Sequence, residues 1–308
     1  MKRIQLSLLL ACLMLSACKN DLVVNGGEPD FHVETSTPEF KKGTPVNFKL
    51  TGDAGMISFY SGEPLKQYEL REGRTEKATG GTFAFTSSVS GGTQANQFAV
   101  MASSDFNGNY DDINDVKKAT WTNITSRFTL GTTTAFTAST AKDISDVLVP
   151  GKPLYLAFRY TTKPQATNGE ARTWMVQGIT FQSVTAIGNI TSVDMFTTGM
   201  RIVDENAKTS PARSTATTSR ITLLGNEFSA GNDPASEHWA ISAPVNWESV
   251  NVGPDRPVAI KGVTSAPMQN YTYTYTKAGT YKAYFVAQNV NIDASKVVVR
   301  PVDIKIIE

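Results

Sequence analysis

Apolar and polar residues alternate singly along most of this chain, the two-residue period of a strand with one buried face. Val46, Phe48 and Leu50 fall on one face, as do Ile57 and Phe59 within 56–60, and Tyr271, Tyr273 and Tyr275 within 271–276. Residues 154–160 (LYLAFRY) and 174–177 (WMVQ) read as further strands, and 280–289 and 296–307 as the last two. Clusters of Gly, Asn, Asp and Pro separate these runs, as turns require. The chain holds 37 Thr, an excess that favours strands over helices. A helical turn is expected only at 111–119, where acidic residues come early and Lys117 and Lys118 come late, matching the helix dipole. The expected fold class is therefore all-β. The strands lack the evenly repeated, ten-residue pattern of a membrane barrel, so one or more sandwiches are predicted.

The first residues break this pattern. Lys2 and Arg3 precede an apolar run over 8–15 that is too short to span a bilayer as a helix. The run ends in Leu15-Ser16-Ala17-Cys18, which resembles a bacterial lipobox. We expect 1–17 to be a lipoprotein signal peptide, Cys18 to be the lipid-attachment residue, and 18–31 to be a polar, Gly- and Pro-containing tether. Cys12 would leave with the signal, so the mature chain would form no internal disulfide. Localisation is expected at the outer membrane, anchored by acyl chains and facing the cell surface. Firm anchoring takes more than one chain.

Composition narrows the function classes. The 29 Lys and Arg against 28 Asp and Glu give a formal charge of +1, with no basic block. Nucleic acid is thereby excluded as a partner, since phosphate neutralisation supplies most of that affinity. With two His and two Cys, the chain lacks the residues for a His-rich metal site. It contains no zinc-protease helix motif, nucleophile elbow, phosphate loop or dinucleotide fingerprint, so no enzymatic activity and no required cofactor are expected. His32 and His238 read as ordinary polar or packing residues.

Two constellations carry candidate chemistry. Asp105, Asn107, Asn109 and Asp111 alternate within the acidic stretch 105–115 and offer the hard oxygen ligands that calcium takes. The stretch lacks the glycine and the closing glutamate of a calcium-binding helix–loop–helix. The reading it competes with is a turn that bonds its own backbone and caps the short helix. Trp121, Trp239 and Trp247 are candidate platforms for stacking a sugar ring, Trp247 foremost because it follows Pro244 in an expected loop.

The two ends of the chain belong together. Residues 40–48 (FKKGTPVNF), 57–63 (ISFYSGE) and the tyrosine strand with its following turn at 277–279 resemble a PKD-type, immunoglobulin-like domain. Each end alone holds about three strands, too few for a stable sandwich. We expect 32–75 and 266–308 to form one split domain, with 76–265 inserted as a jelly-roll-like β-sandwich; three units in a row is the alternative. Residues 80–88, 94–100, 104–110 and 119–125, with Trp239-Ala-Ile-Ser242 and the run from Gly253 to Gly262, complete a pattern similar to the Bacteroidetes lipoprotein family called domain of unknown function 5017. That resemblance implies association with a SusC/SusD-type glycan uptake system. It makes a non-catalytic glycan-binding accessory the leading expectation for function, with a polysaccharide or oligosaccharide, SusC/SusD-type proteins and the outer-membrane lipid bilayer as partners. A structural or adhesion-type surface module, binding protein or no ligand, is the alternative.

Overall fold

The computed structural model describes residues 27–205, 214–225 and 235–308. Cys18 and the signal segment lie outside them. The chain is all-β and divides into two compact units. One comprises the described residues up to Arg74 together with Gly253–Glu308; the other spans Thr75–Val252. The first unit begins with β1 (Asp30–Thr35), β2 (Glu39–Lys41), β3 (Pro45–Asp53) and β4 (Met56–Tyr60). The second holds β5 (Arg74–Ser90), β6 (Phe98–Ser103), helix α1 (Ile113–Lys118), β7 (Thr122–Asn123), β8 (Thr137–Asp143) and β9 (Tyr155–Thr162). It continues with helix α2 (Gln165–Asn168), β10 (Thr173–Thr185), β11 (Gly188–Asp194), β12 (Arg201–Asp204), β13 (Thr215–Ala216), β14 (Ile221–Leu223), β15 (Ser236–Ile241) and β16 (Ser249–Gly253). The first unit then resumes with β17 (Val258–Lys261), β18 (Asn270–Thr274), β19 (Gly279–Val290) and β20 (Ser295–Ile307).

In the second unit a seven-stranded sheet follows the order β13-β14-β10-β5-β16, with β11 and β8 paired to β10 and β5. A five-stranded sheet follows β12-β15-β9-β6-β7. Phe83, Phe85, Val176 and Phe181 from the first sheet share one core with Val100, Leu156, Phe158 and Ala240 from the second. The alternation of β9 explains the layering: Leu156, Phe158 and Tyr160 point to this core, whereas Tyr155 and Ala157 belong to a separate cluster on the other face. Gly131 is pressed against the backbone of Ser87, where any side chain would collide with the carbonyl.

In the first unit a three-stranded sheet, β1-β3-β18, and a five-stranded sheet, β17-β4-β19-β20-β2, enclose Phe31, Phe48, Phe59, Tyr275, Phe285 and Ile304. Both sheets mix strands from the two ends of the chain: β18 pairs with β3, β4 lies between β17 and β19, and β2 runs parallel to β20. Tyr271, Tyr273 and Tyr275 do share a face, and it is the core face, where Tyr271 and Tyr273 lie 4.9 and 5.2 Å from the Phe59 ring. The strands flanking the turn at 277–279 are not a hairpin, however. β18 completes the smaller sheet and β19 enters the larger one, so the chain crosses between layers, and the hairpin is β19–β20. The unit also resumes earlier than position 266. β17 pairs with β4, Ile260 packs on the core, and the buried Lys261 ammonium donates to the Ala54 carbonyl at 2.5 Å.

Arg74 and Asp255 stand where the chain leaves this unit and where it returns. Their side chains are 6% and 1% exposed and meet edge to edge, with Nε on Oδ1 and Nη2 on Oδ2, both at 2.7 Å. The Gln67 amide adds a bond to Asp255 Oδ2 at 2.8 Å, and Asp255 N–H donates to the Leu70 carbonyl at 3.0 Å. Hydrogen bonding from Arg74 outweighs burial and holds the Asp255 carboxyl below the usual carboxylate range. Removing one partner leaves an uncompensated buried charge, so Asp255→Asn is expected to cost about 3–5 kcal/mol of unfolding free energy. Because the folded-state pKa is depressed, this contribution is complete above the ordinary carboxylate pKa of about 4 and is lost as pH falls through the folded value. Chemical denaturation at pH 7 and at stepwise lower pH checks both. A variant as stable as the parent, or an acid limb of the same slope in both proteins, contradicts them.

Candidate ligand-binding hollow

The second face of the β12-β15-β9-β6-β7 sheet carries the most distinctive chemistry of the second unit. Half of it is roofed. The segment 104–121, which includes α1, lays Phe106 and Val116 over Met101, Tyr155, Ala157, Trp239 and Ile241. Tyr110 fastens the roof through its hydroxyl, which donates to the Ser242 carbonyl at 2.8 Å, and Arg201 lies 4.8 Å from its ring centroid.

The other half is open. Ala99 pairs with Arg159 across β6 and β9, and its small side chain leaves the middle of the face low. Asn96, Asn123, Thr125, Arg159 and Thr161 surround it and form a hollow of about 300 Å³. Arg159 is held in place from the neighbouring strand β15. Its Nε and Nη2 donate to the two carboxylate oxygens of Glu237 at 3.1 and 3.2 Å, and Trp239 Nε1 donates to the same carboxylate at 2.6 Å. The guanidinium carbon also lies 5.7 Å from the Trp239 ring centroid, within cation–π range. Asn123 Oδ1 accepts from Thr125 N–H at 3.0 Å and Thr125 Oγ1 at 2.6 Å. Polar groups around a small floor, three of them fixed by hydrogen bonds and with aromatic packing alongside, suit a polar ligand whose hydroxyls need partners.

The tryptophans nominated from sequence do not form an exposed platform. Trp247 is 6% exposed in the main core, with Nε1 donating to the Lys152 carbonyl at 3.3 Å. Pro244 does not lift it into solvent, because Val245 and Leu154 exchange backbone hydrogen bonds and draw the segment against the start of β9. Trp239 is 3% exposed and Trp121 half-buried. Their rings lie 4.9 Å apart, and Trp121 Nε1 donates to the Val116 carbonyl at 2.8 Å. These two belong to the packing beneath and beside the hollow. Arg159, Glu237, Asn96 and Thr161 were not singled out from sequence. One signal did exist: Arg159 is the lone charge in the apolar run 154–160.

Asp105, Asn107 and Asn109 are engaged in hydrogen bonds within their own segment. Asp105 accepts from Ser103 Oγ and the Thr120 amide, each at 2.8 Å. Burial acts against its charged form, but these hydrogen bonds outweigh it and lower its pKa. Asn107 Oδ1 accepts the Asn109 amide, Asn109 Oδ1 accepts the Asp111 amide, and Asn109 Nδ2 donates to Asp115 at 2.5 Å. Asp112 caps α1 through the Asn114 amide at 2.8 Å. Among the described residues no group of three or more His, Cys, Asp and Glu is placed to hold a metal. The alternation serves successive turns that bond their own backbone.

His238 is fully buried. Its Nδ1 meets Asp204 Oδ1 at 2.5 Å, its Nε2 meets Ser236 Oγ at 2.8 Å, and that oxygen lies 2.7 Å from Thr162 Oγ1. Carboxylate, imidazole and hydroxyl stand in the order that serine hydrolases use. Here the hydroxyl is buried and already shared with Thr162, so the network satisfies polar groups inside the fold.

An all-β protein of two units, one with a polar hollow on a sheet face, is the class these features define. The chain belongs to the family described as Domain of unknown function (DUF5017), which it matches over residues 17–200. No curated protein and no solved structure matches it.

The roof predicts its own test. Asp105→Ala removes two bonds that close the segment and is expected to lower unfolding free energy by about 1–3 kcal/mol. Millimolar EDTA is expected to leave the parent melting temperature unchanged. A downward shift on chelation would assign the oxygens of this segment to a cation instead.

Proposed function

We propose that this protein is a lipid-anchored, outer-membrane glycan-binding accessory of a SusC/SusD-type uptake system, and that it acts without catalysis. The observation that carries the reading is the open hollow around Ala99, where amide, hydroxyl and guanidinium groups surround one small floor beside packed tryptophans. Sugars are recognised by such a mixture, because their ring faces are apolar and their hydroxyls need partners. The lipobox-like run Leu15-Ser16-Ala17-Cys18 supports acylation at Cys18. Among the described residues no helix is long and apolar enough to cross a membrane, so an acyl anchor would supply what no such helix does. The closed Asp204–His238–Ser236 network supports a binding role over a hydrolytic one.

Affinity electrophoresis of the detergent-solubilised chain in gels cast with plant, host and microbial polysaccharides tests this. At least one polysaccharide is expected to retard the protein, and Arg159→Ala is expected to abolish the retardation while the melting temperature stays near that of the parent. No retardation by any polysaccharide rejects the reading.

A further inference from the structure

The hydrogen-bonding capacity left over in the hollow is weighted toward donors. A guanidinium has five N–H donors. Glu237 takes the edge formed by Nε and Nη2, which leaves Nη1 and the second N–H of Nη2 at the far end of the plane. Asn123 has its oxygen committed to Thr125, which leaves the two N–H groups of Nδ2. Asn96 and Thr161 add an amide and a hydroxyl to the lining, each able to donate and to accept. No acidic side chain lines the hollow, and Glu237, which faces Thr161 across β15 and β9, has a side chain 16% exposed. A ligand that satisfies the free groups of Arg159 and Asn123 must bring acceptors. A guanidinium end fixed in orientation matches two coplanar oxygens better than it matches scattered hydroxyls.

We propose that the hollow binds the carboxylate of an acidic sugar, a uronic acid unit, with the free end of the Arg159 guanidinium as the anchor and Asn123 Nδ2 as the second donor. This rests on the glycan-binding reading and specifies the substrate class. Glu237 is a positioning residue: it fixes the plane of the guanidinium and touches no ligand. The Arg159–Glu237 pair is neutral as a unit, so selectivity comes from the geometry of the donors and less from net charge.

Calorimetric titration of the detergent-solubilised chain decides it, with three probes of matched length: an oligogalacturonide, a neutral oligosaccharide and the neutral oligosaccharide carrying sulfate esters. The oligogalacturonide is expected to bind about tenfold or more tightly than the neutral probe, the difference that one charge-assisted hydrogen-bonded contact supplies. Arg159→Lys keeps the charge and loses the planar fork, and is expected to erase most of that preference; Asn123→Ala is expected to weaken it. Both residues lie on the open face, and an unchanged melting temperature shows that each variant is folded. Equal or tighter binding of the neutral probe overturns the carboxylate assignment and leaves glycan binding standing. Tighter binding of the sulfated probe than of the oligogalacturonide also overturns it, as does uronate binding that Arg159→Lys does not change. Binding of none of the three, together with no polysaccharide retardation, removes both proposals.

Discussion

Arg74 and Asp255 lie 181 positions apart in sequence and close on one another inside the first unit, out of water and with both nitrogens of one guanidinium edge engaged. Two ions buried alone would be costly, and the geometry is what offsets this: paired contacts, a backbone amide from Gln67 and the Leu70 carbonyl accepting the Asp255 amide. The first unit needs such a fixture because both of its sheets draw strands from both segments. β3 has β18 as a neighbour, β4 has β17 and β19, and β2 adds in parallel to β20. Joining them closes a long loop, and loop entropy grows only slowly with length. The intervening 75–252 can therefore be large without making closure prohibitive, provided its ends are held together, and the ion pair holds them.

Inside the second unit one sheet serves two purposes. Its inner residues, such as Phe158 and Val100, complete the sandwich core. Its outer residues change character along the strands: Tyr155 and Ala157 are roofed by 104–121, whereas Arg159 and Thr161 on the same face of β9 line open space. The roof is kept rigid by turns that bond their own backbone and by Tyr110. The floor is low because Ala99 is small. Both features come from side-chain size and local hydrogen bonding, so neither needs a departure from regular strand geometry.

Alternation made much of this fold legible. It marked the faces of 46–50, 56–60, 154–160 and the tyrosine strand, and it gave the all-β class. It did not give strand partners, because a two-residue period says which side a residue faces and nothing about which strand lies beside it. That is why the common face of Tyr271, Tyr273 and Tyr275 is legible and the pairing of β18 with β3, far away in sequence, is not. Burial of single tryptophans was equally hidden. Trp247 follows a proline and looks loop-borne, but the two backbone bonds between Val245 and Leu154 bury it. The hollow was the least legible part, since a small residue is a signal only when its cross-strand neighbours are known. Arg159 alone announced itself, as a charge in an apolar run.

The placement of the four tryptophans has an optical consequence. Trp174 and Trp247 lie in the main core, whereas Trp121 and Trp239 form a ring pair 4.9 Å apart next to the guanidinium that borders the hollow. The Trp239 indole N–H is tied to the carboxylate that also holds that guanidinium. Anything that shifts Arg159 therefore changes the electric field on one chromophore of a coupled pair, over a background set by two indoles sealed from solvent. The molecule carries an intrinsic emission gauge of the Arg159 environment on that sheet face.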